Sequence, residues 1–447
     1  MFEAPSNDES VYITALILSL LIVPISKNSD TTFFALATWA SIWAMSSKYF
    51  LAIRYKHVFN PAAFGVTVTA FAMGLSAFWW VGTAALMPFV LVGGLLMARK
   101  TRKLGRSDMV LAFIAVALVT NLGYSFMHGR DLVTSFKEIF LDTPILFFSF
   151  VMLTEPMTTP PARIFRIPYG AFVGVLFAPF INLFGIFSTP ELALLVGNIF
   201  SYLVSPKRKF ILTFLRREKI ASSTYDFVFI TDHKPMFKAG QYLEWNLPHK
   251  GYDSRGNRRY FTIASSPTEK DVRIGVKFYP EPSTFKKAML ELKAGDIVVA
   301  AQLAGDFTLP ADRSKKIVFI AGGIGVTPFR SMIKYMIDTN EKRPLTLFYS
   351  NRDIDDIAYV NIFDAARNKL GLRTIYTLTN KEKVPPIWHG VVGMIDEAML
   401  KRELPDYLDR VYYLSGPPSM VDSFEGTLSH MGVRKSHVKT DYFPGYA

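Results

Sequence analysis

Two short segments in the second half of the chain carry residue types suited to holding phosphates: RRYFTIASSP at 258–267 and IAGGIGVTP at 320–328. In the first, Arg259 supplies a guanidinium, which makes fixed, bidentate contacts to phosphate oxygens, beside Tyr260, Phe261 and Thr262. In the second, Gly322, Gly323 and Gly325 follow a predicted strand and open a predicted helix at Thr327 and Pro328. That is the setting in which a glycine-rich turn brings backbone amides to a diphosphate. Between them, Ser283 and Thr284 end the stretch VKFYPEPST (276–284) and can cap a short helix whose first amides favour an anion; plain capping accounts for them equally well. Each segment alone is a weak signal, since an Arg-aromatic-Thr run is usually an ordinary strand. Their order, flavin-type and then nicotinamide-type, suggests hydride transfer from a pyridine nucleotide to a flavin.

The elements that must position these residues differ sharply along the chain. Of the 447 residues, 50% are hydrophobic, and charged residues are sparse before Ser205 and dense after Lys207. The break divides the chain into 1–205, 206–312 and 313–447. In the middle segment, β-type runs at 210–216, 226–231, 242–246, 259–264, 272–279 and 297–302 are spaced by Gly, Pro, Asp and Asn turns, which predicts a small antiparallel barrel. From Ser314 the pattern becomes strand then helix: KIVFIA (316–321), a helix from about Phe329, TLFYS (346–350), a helix near 356–369, TIYTLT (374–379) and VYYLSG (411–416). That alternation predicts a parallel sheet of nucleotide-binding type.

The first 205 residues read as a multi-pass α-helical membrane domain. Apolar runs fall at roughly 11–26, 33–53, 61–77, 79–98, 109–126, 139–154, 168–187 and 190–204, about eight spans. The net charge of +13 is read as a topology marker rather than a nucleic-acid footprint. With a cytoplasmic N-terminus, the basic clusters at 54–56, 99–106, 163–166 and 207–209 all land on one side, which puts the downstream module in the cytoplasm of a cell with this chain in its inner membrane. No cleavable signal peptide is evident, because the N-terminus is acidic. The absence of Cys excludes thiolate-held iron–sulfur clusters and disulfides within the chain. Haem is disfavoured because only His57 and His128 of the seven His fall in this half, and no metal-ligand set is evident.

Two loops in this half place proline and polar groups beside apolar runs: FNPAAFG (59–65) and LTEPMTTPP (153–161). They are either ordinary connections at the membrane surface or a site, since free backbone and an ionisable Glu155 at membrane depth require partners. Together with YGAFVGVLF (169–177), they resemble the flavin-binding membrane proteins of Rnf-type complexes and of Na+-translocating NADH:quinone oxidoreductases (Na+-NQR) over roughly 55–205. The resemblance implies that Asn60, Pro61, Thr154, Glu155, Pro156 and Thr158 sit near a membrane flavin (FMN or riboflavin) or a quinone. The Ser/Thr-Gly-Ala-Thr flavinylation sequence of that family does not occur here, and Glu155 stands where its members usually have Asp. A noncovalent group is therefore expected, and ion pumping is in doubt.

Residues 208–447 resemble the ferredoxin-reductase-like flavoproteins, on RYFT (259–262), VKFYPEPST, GGIGVTP (322–328) and SGPPSM (415–420). The resemblance implies that Arg259 pairs with the FAD pyrophosphate, Phe261 packs on the flavin and Thr262 bonds near its N5, with Tyr260, Val276, Lys277, Ser283 and Thr284 completing the flavin site. Gly322, Gly323, Gly325, Thr327, Pro328, Gly416 and Pro417 would hold NADH or NADPH, with Ser415 replacing the family's cysteine near the nicotinamide. Ser350 and Arg352 lie where the ribose is selected. Arg352 favours a 2′-phosphate and Asp353 and Asp355 oppose it, so the choice of nucleotide stays open. Near the C-terminus Phe443, or secondly Tyr446, would cover the flavin ring. Thr262, Thr327, Ser415 and Phe443 are the residues expected at the reacting atoms.

The expectation is a membrane-bound oxidoreductase passing hydride from NAD(P)H to FAD and then electrons to a flavin or quinone near Asn60 and Glu155. Onward transfer to an extracytoplasmic flavoprotein would share the same inner half. The alternative is an anchored reductase serving a soluble acceptor, with the spans as anchor or transport module.

Overall fold

A computed structural model describes residues 8–23, 31–53, 56–74, 77–103, 106–155, 157–183, 185–205, 209–231, 233, 235–251, 253 and 256–442. The chain forms two compact units, Met1–Arg208 and Lys209–Ala447. Pro156, Phe443 and Tyr446 lie outside the described residues.

The first unit is helical: α1 (Asp8–Leu21), α2 (Thr31–Phe50), α3 (Pro61–Met73), α4 (Met87–Lys103), α5 (Ser107–Met127), α6 (Leu132–Leu141), α7 (Arg163–Leu176) and α8 (Pro190–Val204). Helix α3 begins where Asn60 accepts from the Ala63 amide and Pro61 takes the first turn, a position needing no N–H. Glycines let the helices cross closely. A Cβ at Gly170 of α7 would fall on the Met109 carbonyl, and one at Gly174 would stand 2.7 Å from the Phe113 carbonyl, so the α5–α7 crossing needs both glycines. Inside, Phe113, Phe148 and Phe177 pack with ring centroids 5.1–5.3 Å apart. The other face of α5 turns Leu111, Val119 and Phe126 outward at 66%, 72% and 73% exposure.

Several helices are shorter than the apolar runs that contain them. Among the described residues one helix, Ser107–Met127, is long and apolar enough to cross a membrane by length and composition. The run 139–154 divides: α6 ends at Leu141, Asp142-Thr143-Pro144 interrupt, and a short α turn runs into a π turn at Phe148–Met152. Pro144 cannot continue the helix from residue 143. The run 79–98 likewise holds a 3₁₀ turn at Trp80–Gly82 before α4, and α3 and α8 are 13 and 15 residues, against the ~20 residues that a bilayer core requires.

The second unit begins with strands β1 (Phe210–Ala221), β2 (Thr224–Thr231), β3 (Tyr242–Asn246), β4 (Arg258–Thr262), β5 (Val272–Lys277) and β6 (Ile297–Ala304), forming an antiparallel sheet in the order β4-β3-β6-β1-β2-β5. Its edges approach each other where the Ala264 amide donates to the Arg273 carbonyl at 2.7 Å, and Phe214, Phe227, Phe229 and Trp245 fill the inside. Helix α9 (Thr284–Glu291) lies in the β5–β6 connection.

A parallel sheet follows, with β7 (Ile317–Gly322), β8 (Leu345–Asn351), β9 (Arg373–Leu378), β10 (Val391–Val392), β11 (Val411–Gly416) and β12 (Val438–Tyr442) in the order β10-β9-β8-β7-β11-β12. The crossovers include α10 (Thr327–Asp338), α11 (Val360–Leu370), α12 (Glu397–Glu403) and α13 (Pro418–His430). Alternate residues of β7 face opposite cores: Ile317 and Phe319 meet α10 and α11, while Val318 and Ile320 meet α12 and α13. Burial on both faces explains why this strand reads as a continuous apolar run rather than an alternating one.

Candidate functional site

The strand order reverses at β7, which has β8 on one side and β11 on the other. Such a switch point opens a crevice at the carboxyl ends of the strands, and the glycine loop leaves β7 there. The glycines divide the work. A Cβ at Gly325 would meet the Ser415 carbonyl and stand 2.6 Å from Gly416 Cα, and one at Gly416 would stand 2.6 Å from Met420 Cε. Gly322 likewise abuts Met420 and Pro417. These three let the loops 322–325 and 415–417 close on each other. Gly323 differs: its φ is +52° and nothing lies within 4 Å of its missing Cβ. Helix α10 then starts at Thr327 and Pro328, both buried; it continues the 3₁₀ turn Gly323–Val326, whose Ile324 carbonyl takes the Thr327 amide, so the amides open to an anion are those at the start of that turn.

Three side chains meet beside this loop. Ser415 and Asp441 are register partners across β11 and β12, and the Asp441 carboxyl faces the Thr262 hydroxyl. Neither Thr262 Oγ1, Asp441 Oδ2 nor Ser415 Oγ closes a hydrogen bond of good geometry, although all three atoms are buried. Burial pushes the Asp441 carboxyl up to about 7, with the Thr262 hydroxyl opposing. A polar ring system laid against these atoms would supply the missing bonds.

The flavin-side candidates form a second cradle. Arg259 is held by its bonds to the Gly256 and Arg258 carbonyls at 3.1 and 2.6 Å, by Asp253 at 3.3 Å and by the Phe285 ring 5.2 Å below its guanidinium. Ser283 caps α9 by accepting from the Lys286 amide, and Thr284 accepts from the Asp253 amide at 3.1 Å. Arg259 is thereby tied through Asp253 to the positive end of α9, a pairing suited to a diphosphate. Phe261 shares this face, 6.0 Å from Phe285.

Three expected residues stand elsewhere. Tyr260 points to the opposite face and donates to Glu244 at 2.7 Å, because side chains alternate along a strand. Val276 is a core residue, 2% exposed. Lys277 pairs with Asp356 at 3.1 Å in the nucleotide-binding layer. At the end of β8, Arg352 is exposed, Asp353 accepts from Asn380 at 2.8 Å, and Ser350 is the strand's last residue but one.

In the first unit, the two loops meet. Asn60 Nδ2 donates to Glu155 Oε2 at 2.7 Å, and Thr158 donates to the same oxygen at 3.1 Å. Thr154 bonds instead to the Phe150 carbonyl of its own helical turn. The cluster includes residues outside the sequence expectation: Asn198, which accepts from the Asn60 amide at 2.8 Å; Tyr169, 3.3 Å from Asn198; and Arg106, which donates to Thr159 at 3.0 Å. Asn198 stood in an apolar run, where a polar residue is itself a signal. Asp441 offered less, being one acid in a terminal segment without a motif.

Residues 319–425 match the oxidoreductase NAD-binding domain family. The chain is 29% identical over 221 residues to a flavohemoprotein of Candida albicans, covering 47% of this chain and 52% of that one. It is 28% identical over 237 residues to the glycine betaine monooxygenase reductase subunit of Chromohalobacter salexigens, covering 51% and 63%. It thus spans less than two thirds of the length of these curated relatives. The FAD/NAD-binding domain of nitric oxide dioxygenase from Vibrio cholerae superposes with a TM-score of 0.47 at 18% identity, over 52% of this chain and 98% of that one. The second unit pairs an antiparallel half-barrel with a parallel sheet, and the parallel sheet carries the match to the oxidoreductase NAD-binding domain family.

Proposed function

We propose that the chain is a membrane-embedded NAD(P)H-dependent FAD oxidoreductase that delivers electrons to an acceptor held by its first unit. The observation that carries the redox half is the meeting of Thr262 and Asp441, with Ser415 as register partner of Asp441, beside the glycine loop, where three buried polar atoms close no hydrogen bond of good geometry. Bound flavin would take a hydride from the nicotinamide and release electrons onward. Arg259 and the N-terminal amides of α9 hold a diphosphate, Gly323 and the 3₁₀ turn it opens hold another, and Asp441 keeps a proton near Thr262. Phe443 and Tyr446 remain the candidates for covering the flavin ring.

The membrane half of the proposal draws on the surface of the first unit. Leu95, Leu111, Val119, Phe126 and Ile164 are each 66–74% exposed, large apolar side chains on the exterior that lipid would cover. Glycine-tight crossings and helices interrupted beside a polar cluster suit such a setting. We place the acceptor, a noncovalent FMN or riboflavin or a quinone, against Asn60, Glu155, Thr158 and Asn198, and the reductase module in the cytoplasm, on the side of the basic clusters. Onward transfer to an extracytoplasmic flavoprotein extends the same route.

The test is to purify the full chain in lipid, measure its flavin content, and follow flavin bleaching with NADH and then NADPH, with and without a water-soluble quinone. Two flavins, or one FAD reoxidised by quinone, supports the route. A single FAD that bleaches and is indifferent to quinone favours the second reading, an anchored reductase serving a soluble partner. That reading draws on the reductase subunit of a monooxygenase among the relatives.

A further inference from the structure

The two layers of the second unit touch at a buried cluster that no cofactor contact accounts for. Asp226 on β2 and Gly275 on β5 are register partners. The hydroxyl of Tyr359, the residue before α11, donates to Asp226 Oδ1, and Arg273 Nη1 stands 3.9 Å from Asp226 Oδ2. Tyr359 is 5% exposed with φ 60° and ψ 25°, a left-handed conformation that a bulky side chain rarely adopts. Its surroundings hold it there: Asp226 at the hydroxyl, and the Arg330 guanidinium 5.8 Å from the ring centroid. Gly275 marks the closest approach. A Cβ at that position would stand 2.5 Å from Tyr359 Oη, 2.7 Å from Thr327 Cγ2 and 3.2 Å from Ile324 Cδ1, so any side chain would displace the Tyr359 hydroxyl and the two side chains of the nucleotide loop that meet there.

The same junction reaches the other side of the site. Arg273, two residues before Gly275, accepts from the Ala264 amide at 2.7 Å and donates its own amide to Ser265 Oγ at 3.0 Å. Across the layers, Arg330 donates to the Ala264 carbonyl at 3.0 Å and Ser331 to the Ser265 carbonyl at 2.7 Å. The segment directly after Thr262 and the helix that begins at Thr327 are therefore fastened together, and Tyr359, Asp226 and Gly275 set how closely they meet.

We propose that Tyr359, Asp226 and Gly275 are positioning residues for hydride transfer, a spacer that fixes the reach between the loop at Thr327 and the strand end at Thr262. The inference rests on the reading above, in which those two places hold the nicotinamide and the flavin. The step moves one hydride, leaving the nicotinamide oxidised and the flavin reduced by two electrons. It needs reacting atoms within ~3–3.5 Å, and a misplacement of about 1 Å costs on the order of 100-fold in rate.

The experiment is rapid-mixing reduction of the FAD-loaded full chain by NADH and NADPH, comparing wild type, Gly275→Ala and Tyr359→Phe. Gly275→Ala should lower the limiting rate of flavin reduction ~10–100-fold, leave the dissociation constant of the nucleotide within about twofold, and weaken the long-wavelength charge-transfer absorbance of the nicotinamide–flavin pair. Tyr359→Phe, which keeps the ring and removes the donor, should do the same to a smaller extent and guards against a Gly275→Ala protein that loses flavin. Variants with wild-type flavin content, limiting rate and charge-transfer absorbance would overturn the proposal. A wild-type protein whose bound flavin bleaches with neither nucleotide overturns the underlying functional reading, and the proposal with it.

Discussion

Asn60 and Glu155, far apart in sequence, are joined by a 2.7 Å hydrogen bond from the Asn60 amide group to the Glu155 carboxyl, which also accepts from Thr158 at 3.1 Å. One carboxyl oxygen thus gathers two loops around Asn198. Removing it by Glu155→Ala leaves both donors buried without an acceptor, a cost of about 2–5 kcal/mol, to be read as a lowered thermal transition of the first unit. Glu155→Gln keeps the shape and weakens the acceptor. If the acceptor sits here, the ratio of quinone-driven reoxidation to flavin reduction should fall at least about tenfold, on the order of one lost charge-assisted bond. An unchanged ratio would move the acceptor away from this cluster.

Asp441 should make the reaction pH-sensitive near neutrality. Its carboxyl is pushed up to about 7 by burial, so it is neutral below that pH and ionised above it. Hydride transfer adds negative charge to the flavin, and a carboxylate beside Thr262 opposes that. The rate of flavin reduction should be highest below about pH 7 and fall above it, and Asp441→Asn should flatten the profile at the high plateau. Stability follows the same sign. The folded form binds this proton more tightly than the unfolded form, so the contribution is complete below the ordinary carboxylate range and is lost as pH rises through about 7. If the whole shift is realised, the change is on the order of 4 kcal/mol. A denaturation series over that window shows the slope in wild type and loses it in Asp441→Asn.

Arg259 tests the flavin cradle. Its guanidinium lies over Phe285 and is steered by Asp253 at 3.3 Å, an arrangement that a lysine cannot copy because it lacks the planar fork. Arg259→Lys should weaken FAD binding by ~10–100-fold, the worth of a charge-assisted contact, as measured by dialysis of the bound flavin. A variant that retains stoichiometric FAD through dialysis would place the pyrophosphate elsewhere.

Much of the second unit was legible because its local signals agree. The apolar run at 316–321 is a fully buried parallel strand, and GGIGVTP lies at the expected strand-to-helix turn. What escaped depended on tertiary contact. Tyr260 looked like part of the flavin motif, yet strand alternation turns it toward Glu244. Gly322 and Gly325 carried a phosphate-loop signature, and the sequence could not show that Gly322 would also pack against Met420 and Gly325 against Ser415 and Gly416. The strand at 438–442 carries no β pattern strong enough to foretell that Asp441 would stand beside Thr262. In the first unit, hydrophobicity marked the runs and could not show where Pro144 would divide one of them.

Arg330 gives the last prediction. It is 4% exposed and forms two contacts with the Glu269 carboxylate, one of them 2.8 Å from Nη2, while Nη1 also donates to the Ala264 carbonyl. A pair between a buried guanidinium and a half-buried carboxylate recovers little net stability over an apolar replacement, but removing the carboxylate strands the buried charge. Glu269→Ala should therefore destabilise the second unit by about 3–5 kcal/mol, and the double variant Glu269→Leu with Arg330→Met should regain most of that loss in a thermal melt. The two variants should part in kinetics. The double variant is stable yet lacks the bond that fastens α10 to the segment after Thr262, so its flavin reduction should stay slow. Recovery of both stability and rate would mean that packing alone aligns the layers and that the ionic contact is dispensable for placing the two loops.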